Sequence, residues 1–232
     1  MDLADLANLA ALARDAARLL VPVSCAGCGV DDVPLCESCS APWWDEPFRA
    51  EEGAGRLAVL ERVPLAVWAV SRLEGAEQRA IGVWKDGRRR DLDPFFGAAA
   101  ARAAAAVREH LPPNLVVVPV PSKPRSVRKR GVDLSALLAR AVGRELDAPM
   151  EAPLRAAGTT SKGRSSVGRW DAAGVAVKRR LGPRPVLLVD DVMTTGATLA
   201  RAADALEGAG SPVVAAMVLA ATPRRDVGAN GG

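Results

Sequence analysis

One stretch near the end of the chain, residues 186–198, constrains the fold more than any other feature of the sequence. It begins with the apolar residues Val186-Leu-Leu-Val, continues with the acids Asp190 and Asp191, and runs through Thr194-Thr-Gly into a helical pattern. A short apolar run of this kind predicts a buried strand, and the polar loop after it predicts a strand-to-helix turn. Because ligands of open α/β sheets bind where strands end, the stretch also predicts a binding site.

The chain after residue 56 alternates in the same way between short apolar runs and helical patterns. We predict strands at 65–71, 115–120, 186–189 and 213–219, and helices at 75–85, 94–111, 134–142 and 197–207. This alternation predicts an α/β fold with a mostly parallel sheet flanked by helices. Residues 158–168 show no periodicity and are rich in Gly, Ser and Thr, so we expect them to form a mobile loop.

The first part of the chain has a different character and is predicted to form an accessory module. Leucines at spacings of three and four within residues 2–20 predict an amphipathic helix, and the acidic residues 45–56 are typical of a linker. We therefore expect an N-terminal module at 1–56, a main domain at 57–222 and a flexible tail at 223–232.

All four cysteines of the chain lie in this module, as Cys25-x-x-Cys28 and Cys36-x-x-Cys39. Two such pairs bring four thiolates together, which suits the tetrahedral preference of Zn²⁺. Four protein ligands leave no open coordination position, so the metal would be structural. Two disulfides, a redox Cys-x-x-Cys pair and an iron–sulfur cluster are the alternatives. A reducing compartment disfavours disulfides, and a redox pair needs only two of the four thiols.

The chemistry of residues 190–198 favours a ligand that is both a sugar and an anion. The carboxylates of Asp190 and Asp191 suit vicinal hydroxyls, which they can reach directly or through Mg²⁺. Backbone N–H groups and threonine hydroxyls of the following loop converge on one point, where an anion fits, and Gly196 allows close approach. The alternative is a strand that ends in two acids before an N-capping threonine. An N-cap requires only one polar residue, so we favour the ligand site.

The net charge of +4 and the pI of about 9.2 favour an anionic ligand or partner. Five basic residues occupy nine positions without an acid: Lys123, Arg125, Arg128, Lys129 and Arg130. They either bind phosphate or form a solvated surface patch. No apolar run reaches the roughly 18 residues that a membrane-spanning helix needs, and the N-terminus lacks a signal peptide's basic region. We therefore expect a cytoplasmic protein without membrane insertion. Its single histidine, His110, is predicted to be a surface residue.

Residues 186–198 resemble the phosphoribosyl pyrophosphate (PRPP) signature of type I phosphoribosyltransferases, in which four hydrophobic residues precede two acids and a Thr-Thr-Gly loop. The resemblance implies that Asp190 and Asp191 contact the ribose 2′- and 3′-hydroxyls. It also implies that the loop binds the 5′-phosphate, through Met193, Thr194, Thr195, Gly196, Ala197 and Thr198. The run from Pro119 to Lys123 is similar to the pyrophosphate loop of these enzymes. Ser122 and Lys123 are therefore implied to bind PRPP, which Mg²⁺ accompanies.

A narrower resemblance covers roughly residues 1–222. The cysteine motif, Trp84-Lys85-Asp-Gly, Pro119-Val-Pro, Arg130-Gly and the PRPP signature follow one another as in the ComF family, which is associated with DNA uptake in competent bacteria. This resemblance implies that Lys85 and Arg130 act beside the two aspartates and that zinc occupies the cysteine motif. The sequence departs from the family after Arg130-Gly, where Val-Asp-Leu replaces the usual Phe-Asn-Gln, and in the loop 158–171 that would close over substrate.

Two functions follow from these resemblances. The first is a Mg²⁺-dependent phosphoribosyltransferase, in which catalysis consists of gripping both phosphate ends of PRPP and needs no nucleophilic side chain. The second is a non-catalytic accessory protein for uptake of single-stranded DNA, with a PRPP-sensing pocket and a basic surface that contacts DNA or proteins of the competence machinery. Five tryptophans and no tyrosine provide few stacking platforms, which disfavours a strong single-strand binder acting alone.

Overall fold

The central feature of the fold is a five-stranded sheet. It is seen in a computed structural model, which describes residues 23–53, 65–87, 89–156 and 174–223. The strands of the sheet lie in the spatial order β1 (Phe48–Arg49), β2 (Val67–Arg72), β7 (Val213–Ala221), β6 (Val186–Met193) and β3 (Val116–Pro119). Strands β2, β7, β6 and β3 are parallel, whereas β1 pairs antiparallel with β2. Two further strands, β4 (Leu154–Ala156) and β5 (Val175–Val177), form a separate antiparallel pair.

Helices cover both faces of this sheet. In chain order they are α1 (Glu37–Ser40), α2 (Gly75–Lys85), α3 (Asp93–Ala106), α4 (Pro124–Arg130), α5 (Leu134–Leu146) and α6 (Ala197–Gly208). Helices α2, α3 and α5 contribute to the hydrophobic core on one face, and α6 with the β4–β5 pair contributes to the core on the other. Burial on both faces explains why the parallel strands are almost continuously apolar. The predicted α/β fold with a mostly parallel sheet is confirmed.

Helix α5 shows how the sequence determines a boundary and a buried face. The carboxylate of Asp133 caps its N-terminus by accepting a hydrogen bond of 3.4 Å from the backbone N–H of Ala136. Leu134, Leu138 and Val142 recur every four residues, and all three are fully buried. The α-helix ends at Asp147, which adopts a left-handed conformation with φ of +53°. One side of α5 therefore faces the sheet, and its N-terminus lies beside the end of β3.

Strand β6 is longer than the sequence predicts. The prediction ended it at Val189, with the two acids after its end, but the strand continues through Asp190 and Asp191 to Met193. Strand β7 pairs with it over this whole length, and backbone hydrogen bonding to a neighbour outweighs the polarity of the two side chains. Strand β3 ends opposite Val189 at Pro119, so the acids have a paired strand on one side only.

Helix α3 is shorter than predicted. It ends at Ala106 rather than near residue 111, and Arg108–His110 form a 3₁₀ turn instead. Pro112 explains only why Leu111 is extended, because the residue that precedes a proline is disfavoured in the α conformation. The side chain of His110 is 54% exposed and stacks on Trp68 with ring centroids 5.2 Å apart. Its prediction as a surface residue is confirmed.

The segment that carries the cysteines shares the core of the main sheet. Trp43 is fully buried and packs against Phe96 of α3 with ring centroids 4.9 Å apart, and Trp84 of α2 contacts the same ring at 4.6 Å. The predicted helix at 2–20, the predicted loop at 158–168 and most of the predicted tail lie outside the described residues, as does the predicted boundary near residue 56. Within the described ranges, the helices are too short or too polar to span a bilayer.

Candidate functional site

The two acids of β6 are held in different ways. Asp190 Oδ1 accepts hydrogen bonds from the Ser135 hydroxyl (2.9 Å) and from the backbone N–H of Asp191 (2.8 Å). Ser135 belongs to the first turn of α5, which occupies the side of β6 where β3 has ended. Burial, and then repulsion from the Asp191 carboxylate, raise the pKa of Asp190 to about 7. Asp190 can therefore hold a proton or release it near neutral pH.

Asp191 is buried and paired with a lysine from a distant part of the chain. The ammonium group of Lys85, the last residue of α2, lies 2.7 Å from Asp191 Oδ1. The lysine side chain is 36% exposed, whereas that of the aspartate is only 10% exposed. The lysine side chain is therefore partly accessible to solvent where its ammonium group neutralises the buried carboxylate. It can turn from the carboxylate to an anion in solution without leaving the site.

Arg130 holds the backbone next to Lys85. It ends α4, and its Nη1 donates a hydrogen bond of 3.4 Å to the Lys85 carbonyl oxygen. Gly87 packs directly on it, because a Cβ atom there would lie 3.0 Å from Arg130 Cγ, and the φ of +77° also favours glycine. The Nε of Arg130 is buried without a hydrogen-bond partner in the described structure. Lys85, Arg130, Asp190 and Asp191, predicted together from the sequence resemblance, form one connected group.

The loop after β6 presents donors at the start of α6. Gly196 has a φ of +72° and occupies the N-cap position, so the backbone turns sharply before Ala197. Thr194, Thr195 and Thr198 are exposed, which leaves their hydroxyls accessible to a ligand. The free N–H groups of a helix N-terminus attract anions. The side chain of Met193, by contrast, is buried in the core, so this residue can contribute to the loop only through its backbone.

Two further predicted residues lie on the neighbouring loop after β3. Ser122 donates its hydroxyl hydrogen to Asp133 Oδ1 at 2.9 Å, and therefore braces the N-cap of α5. Lys123 occupies the N-cap position of α4 and is exposed. In the described structure the Ser122 hydroxyl is engaged by Asp133, whereas the Lys123 ammonium extends into solvent.

The four cysteines form a compact cluster. Their sulfur atoms all lie within 4.8 Å of one another, and Cys36 Sγ lies 3.6 Å from both Cys25 Sγ and Cys28 Sγ. A tetrahedral zinc site with Zn–S distances of about 2.3 Å requires sulfurs about 3.8 Å apart, so the cluster fits this metal. The four thiols are unbridged, and the two-disulfide alternative receives no support from the structure.

The surroundings of the cluster shift the pKa values of its thiols in opposite directions. Burial acts to raise the pKa of the Cys25 thiol, but hydrogen bonds from the backbone of Cys36, Cys28 and Gly27 outweigh it and lower the pKa to about 6. Gly27 is required sterically as well, since a Cβ atom there would lie 2.7 Å from Cys39 Sγ. Burial raises the pKa of the Cys39 thiol to about 12, so the folded loops favour thiolates at Cys25 and Cys36 but not at Cys39. The loops supply the spacing that a metal ion needs.

Several residues that complete the site were not predicted as site residues. Ser135 is a single serine in an amphipathic helix, and no sequence signal marks it as the partner of Asp190. Asp133 carried a signal, because an acid directly before a helical pattern is a typical N-cap. The contact between Trp84 Nε1 and Asp93 Oδ1, at 2.7 Å, joins the end of α2 to the start of α3 and has no local signature.

Part of the chain is similar to a known protein family. Residues 126–228 match the family model of the phosphoribosyl transferase domain, a range that includes Ser135, Asp190, Asp191 and the loop at 194–198. This part of the chain therefore resembles a phosphoribosyl transferase domain. Lys85 and the cysteine cluster lie outside the matched range. A search of curated proteins finds no significant match.

Solved structures similar to part of this chain include the following three. A purine phosphoribosyltransferase from Pyrococcus horikoshii Ot3 is 20% identical over 58% of this chain and 79% of its own, with a TM-score of 0.37. A hypoxanthine phosphoribosyltransferase from Staphylococcus aureus is 14% identical over 60% and 70%, with a TM-score of 0.38. The UMP synthase of Leishmania donovani is 21% identical over 59% of this chain, with a TM-score of 0.37, and the match covers 24% of that protein's length.

Proposed function

We propose that the chain binds PRPP with Mg²⁺ at the carboxyl edge of its sheet. The observation that carries this proposal is the pair of adjacent carboxylates on β6, one bonded to Ser135 and one to Lys85, directly before the Thr-Gly turn into α6. Carboxylates beside a helix N-terminus offer acceptors for sugar hydroxyls next to donors for a phosphate. The family match over residues 126–228 supports the same ligand class.

Each part of PRPP has a complementary group. The N–H groups and hydroxyls of residues 194–198 would bind the 5′-phosphate, and the carboxylates of Asp190 and Asp191 would accept hydrogen bonds from the ribose hydroxyls. Lys85, Arg130 and Lys123 would neutralise the pyrophosphate, with Ser122 able to exchange its bond to Asp133 for one to an oxygen of the ligand. Mg²⁺, a cation that binds phosphate oxygens and carboxylates, would shield the charge of the pyrophosphate.

We propose the transfer of a phosphoribosyl group as the reaction. The bond between C1′ and the pyrophosphate oxygen breaks, pyrophosphate leaves with that electron pair, and a nucleophilic acceptor forms the new bond at C1′. The chain's own contribution is to hold both ends of the substrate and to place cations where negative charge develops on the leaving group. No side-chain nucleophile is needed. The cysteine cluster lies outside this chemistry, and we propose structural zinc for it.

The narrower assignment is a ComF-type protein linked to competence and single-stranded DNA uptake, and it rests on the order of sequence motifs. One structural observation favours contact with DNA. Helix α4 has no buried residue, and its Arg125, Arg128 and Lys129 are exposed and form no ion pair within the described ranges. Exposed cations on a short helix suit phosphates of a nucleic-acid backbone. In this second function the PRPP pocket would act as a sensor rather than as a catalytic site.

The decisive experiment is a calorimetric titration of the zinc-loaded protein with PRPP and Mg²⁺. We expect saturable binding by the native chain and a loss of at least about tenfold in affinity for Asp191→Asn, because the neutral amide accepts weaker hydrogen bonds. Asp147→Asn is the matched control, since Asp147 ends α5 in a left-handed conformation that asparagine also tolerates. The absence of PRPP binding by the native chain would overturn both proposed functions, the transferase and the PRPP sensor.

Two further measurements separate the functions. If the protein is a transferase, pyrophosphate is released when PRPP is offered with amine or nucleobase acceptors; binding without release by any acceptor favours the sensor. For DNA, the affinity for single-stranded oligonucleotides should fall with salt. Replacing Arg125, Arg128 and Lys129 together by Gln should reduce the slope of log affinity against log salt by about two. An unchanged slope would exclude α4 as a DNA-binding surface.

A further inference from the structure

Two arginines tie the loops that carry the cysteines to the polypeptide that carries Lys85. Arg79, on α2, donates from Nε to the Gly27 carbonyl oxygen at 2.5 Å. Arg89, four residues after Lys85, donates to the carbonyl oxygens of Ser24 (2.7 Å) and Pro34 (3.1 Å). These three carbonyls lie before, within and after the first cysteine pair, Cys25 and Cys28. Lys85 therefore lies between two points at which its own chain segment is anchored on the cysteine loops (residues 24–39).

The guanidinium of Arg89 is itself held firmly. Asp91 accepts three further hydrogen bonds from it: Nε donates to Oδ1 at 2.9 Å and to Oδ2 at 3.2 Å, and Nη2 donates to Oδ2 at 2.8 Å. The hydrogen bonds that Arg89 donates to Asp91 also raise the pKa of Arg89, and the arginine side chain is only 18% exposed. A planar guanidinium that is engaged on all three nitrogens has a fixed orientation, which the point charge of a lysine could not reproduce. Arg89 is thus a rigid connection rather than a surface charge.

The same segment reaches the other cation of the site. Arg90 donates to the Arg130 carbonyl oxygen at 3.4 Å and to Asp93 Oδ2 at 2.7 Å. Arg130 in turn donates to the Lys85 carbonyl oxygen. The backbone at Lys85 is therefore fixed from the cysteine loops through Arg79 and Arg89, and from α4 through Arg130. These contacts form a continuous network from the cysteine cluster to the carboxylate of Asp191.

We infer that Arg79 and Arg89 are positioning residues, through which the folded cysteine loops hold Lys85 at Asp191 and so set the affinity of the pocket for its anionic ligand. The inference rests on the proposed binding of PRPP. Neither arginine touches the ligand in this arrangement. A contiguous set of contacts can carry energetic coupling, and this set joins the cysteine cluster to the pocket although they belong to different parts of the chain. Binding of metal by the cysteines then strengthens binding of PRPP, and the reverse holds by linkage.

Substitution of Arg89 tests the inference with a matched control. In the zinc-loaded protein we expect Arg89→Gln to weaken PRPP binding by roughly threefold to thirtyfold. Arg89→Lys keeps the charge but loses the forked geometry of the guanidinium, so it should restore little of the lost PRPP affinity. Arg108→Gln is the control, because Arg108 also donates to two backbone carbonyls, those of Glu145 and Leu146, at the opposite end of α5. Full rescue by lysine, or an equal loss in the control, would overturn the positioning role.

A second variant distinguishes positioning from general loss of structure. In a Lys85→Ala background the Arg89→Gln substitution should have no further effect on PRPP affinity, because the group that it positions is gone. Additive effects of the two substitutions would overturn the inference. Chelation of the metal from the native chain should also weaken PRPP binding, and equal affinity with and without metal would overturn it as well. If the native zinc-loaded chain fails to bind PRPP, the proposed function is wrong; if it binds and Arg89→Gln binds equally, only this inference is wrong.

Discussion

Replacing Asp190 by asparagine should stabilise the chain in the absence of ligand, and the gain should increase with pH. In the folded chain burial and the Asp191 carboxylate raise the pKa of Asp190 to about 7, whereas an aspartate in an unfolded chain titrates at about 3.9. Between these two values the folded chain keeps a proton that the unfolded chain has released. The contribution of this group to stability is therefore complete below about pH 4 and is lost as the pH rises to about 7.

The size of the effect follows from linkage. Stability falls by about 1.4 kcal/mol per pH unit while only the folded chain holds the proton, so the native chain should lose roughly 2 kcal/mol between about pH 5.5 and pH 7.5. Asparagine cannot ionise, yet its Oδ1 can accept the same hydrogen bonds from the Ser135 hydroxyl and the Asp191 N–H. We therefore expect the Asp190→Asn variant to gain about 2 kcal/mol relative to the native chain over this interval.

Urea unfolding followed by far-ultraviolet circular dichroism, with zinc present at each pH, measures this difference. Other titrating groups affect both proteins, so the comparison is the free energy of unfolding of the variant minus that of the native chain. Thr198→Ala, which removes an exposed hydroxyl and no charge, gives a reference that should not depend on pH. A variant-minus-native difference that stays constant between the two pH values would refute the raised pKa of Asp190. The Asp190→Asn variant should also bind PRPP poorly, so its stability and its affinity for PRPP should change in opposite directions.

Three other perturbations have expected outcomes. Gly27→Ala should reduce the zinc bound per chain, because the new Cβ would lie 2.7 Å from Cys39 Sγ, and metal analysis measures this loss. Gly82→Ala is the control for the steric argument: nothing lies within 4 Å of a Cβ at this position, so this variant should keep its zinc. Trp84→Phe should destabilise the chain by about 1–3 kcal/mol in urea unfolding, since Asp93 Oδ1 loses its donor at 2.7 Å while Arg90 still donates to Oδ2. A loss well below this range would contradict the role of the Trp84 bond. Removal of metal should expose four reactive thiols per chain in a thiol titration, whereas two or none would indicate disulfides.

The local parts of the fold could be predicted from the sequence because their signals are local. Helix α2 begins and ends at the predicted residues, and the strand at Val213 needed only its apolar run. The end of β6 could not be predicted in this way. Its last four residues form a strand because β7 pairs with them, a contact that depends on the packing of the whole sheet.

In the candidate site, too, local sequence predicts some residues and not others. A compact signature made Asp190 and Asp191 visible, but the contact with Lys85 joins residues 106 positions apart and could be anticipated only from resemblance to a family. The pairing of β4 with β5 was missed because each strand has three residues, too few to show alternation. Ser135 lies 55 positions before its partner Asp190 and has no distinguishing neighbours. Contacts of this separation are determined by topology, which local patterns do not encode.

Tryptophan fluorescence can report on the junction between the cysteine segment and the sheet. The protein has no tyrosine and five tryptophans, and three of these, Trp43, Trp44 and Trp84, contact Phe95 or Phe96 at this junction. Trp43 and Trp84 are fully buried, so water reaches their indole rings only when the junction opens. Separation of the cysteine segment from the sheet therefore shifts the emission spectrum to the red, even while the strands and helices stay intact.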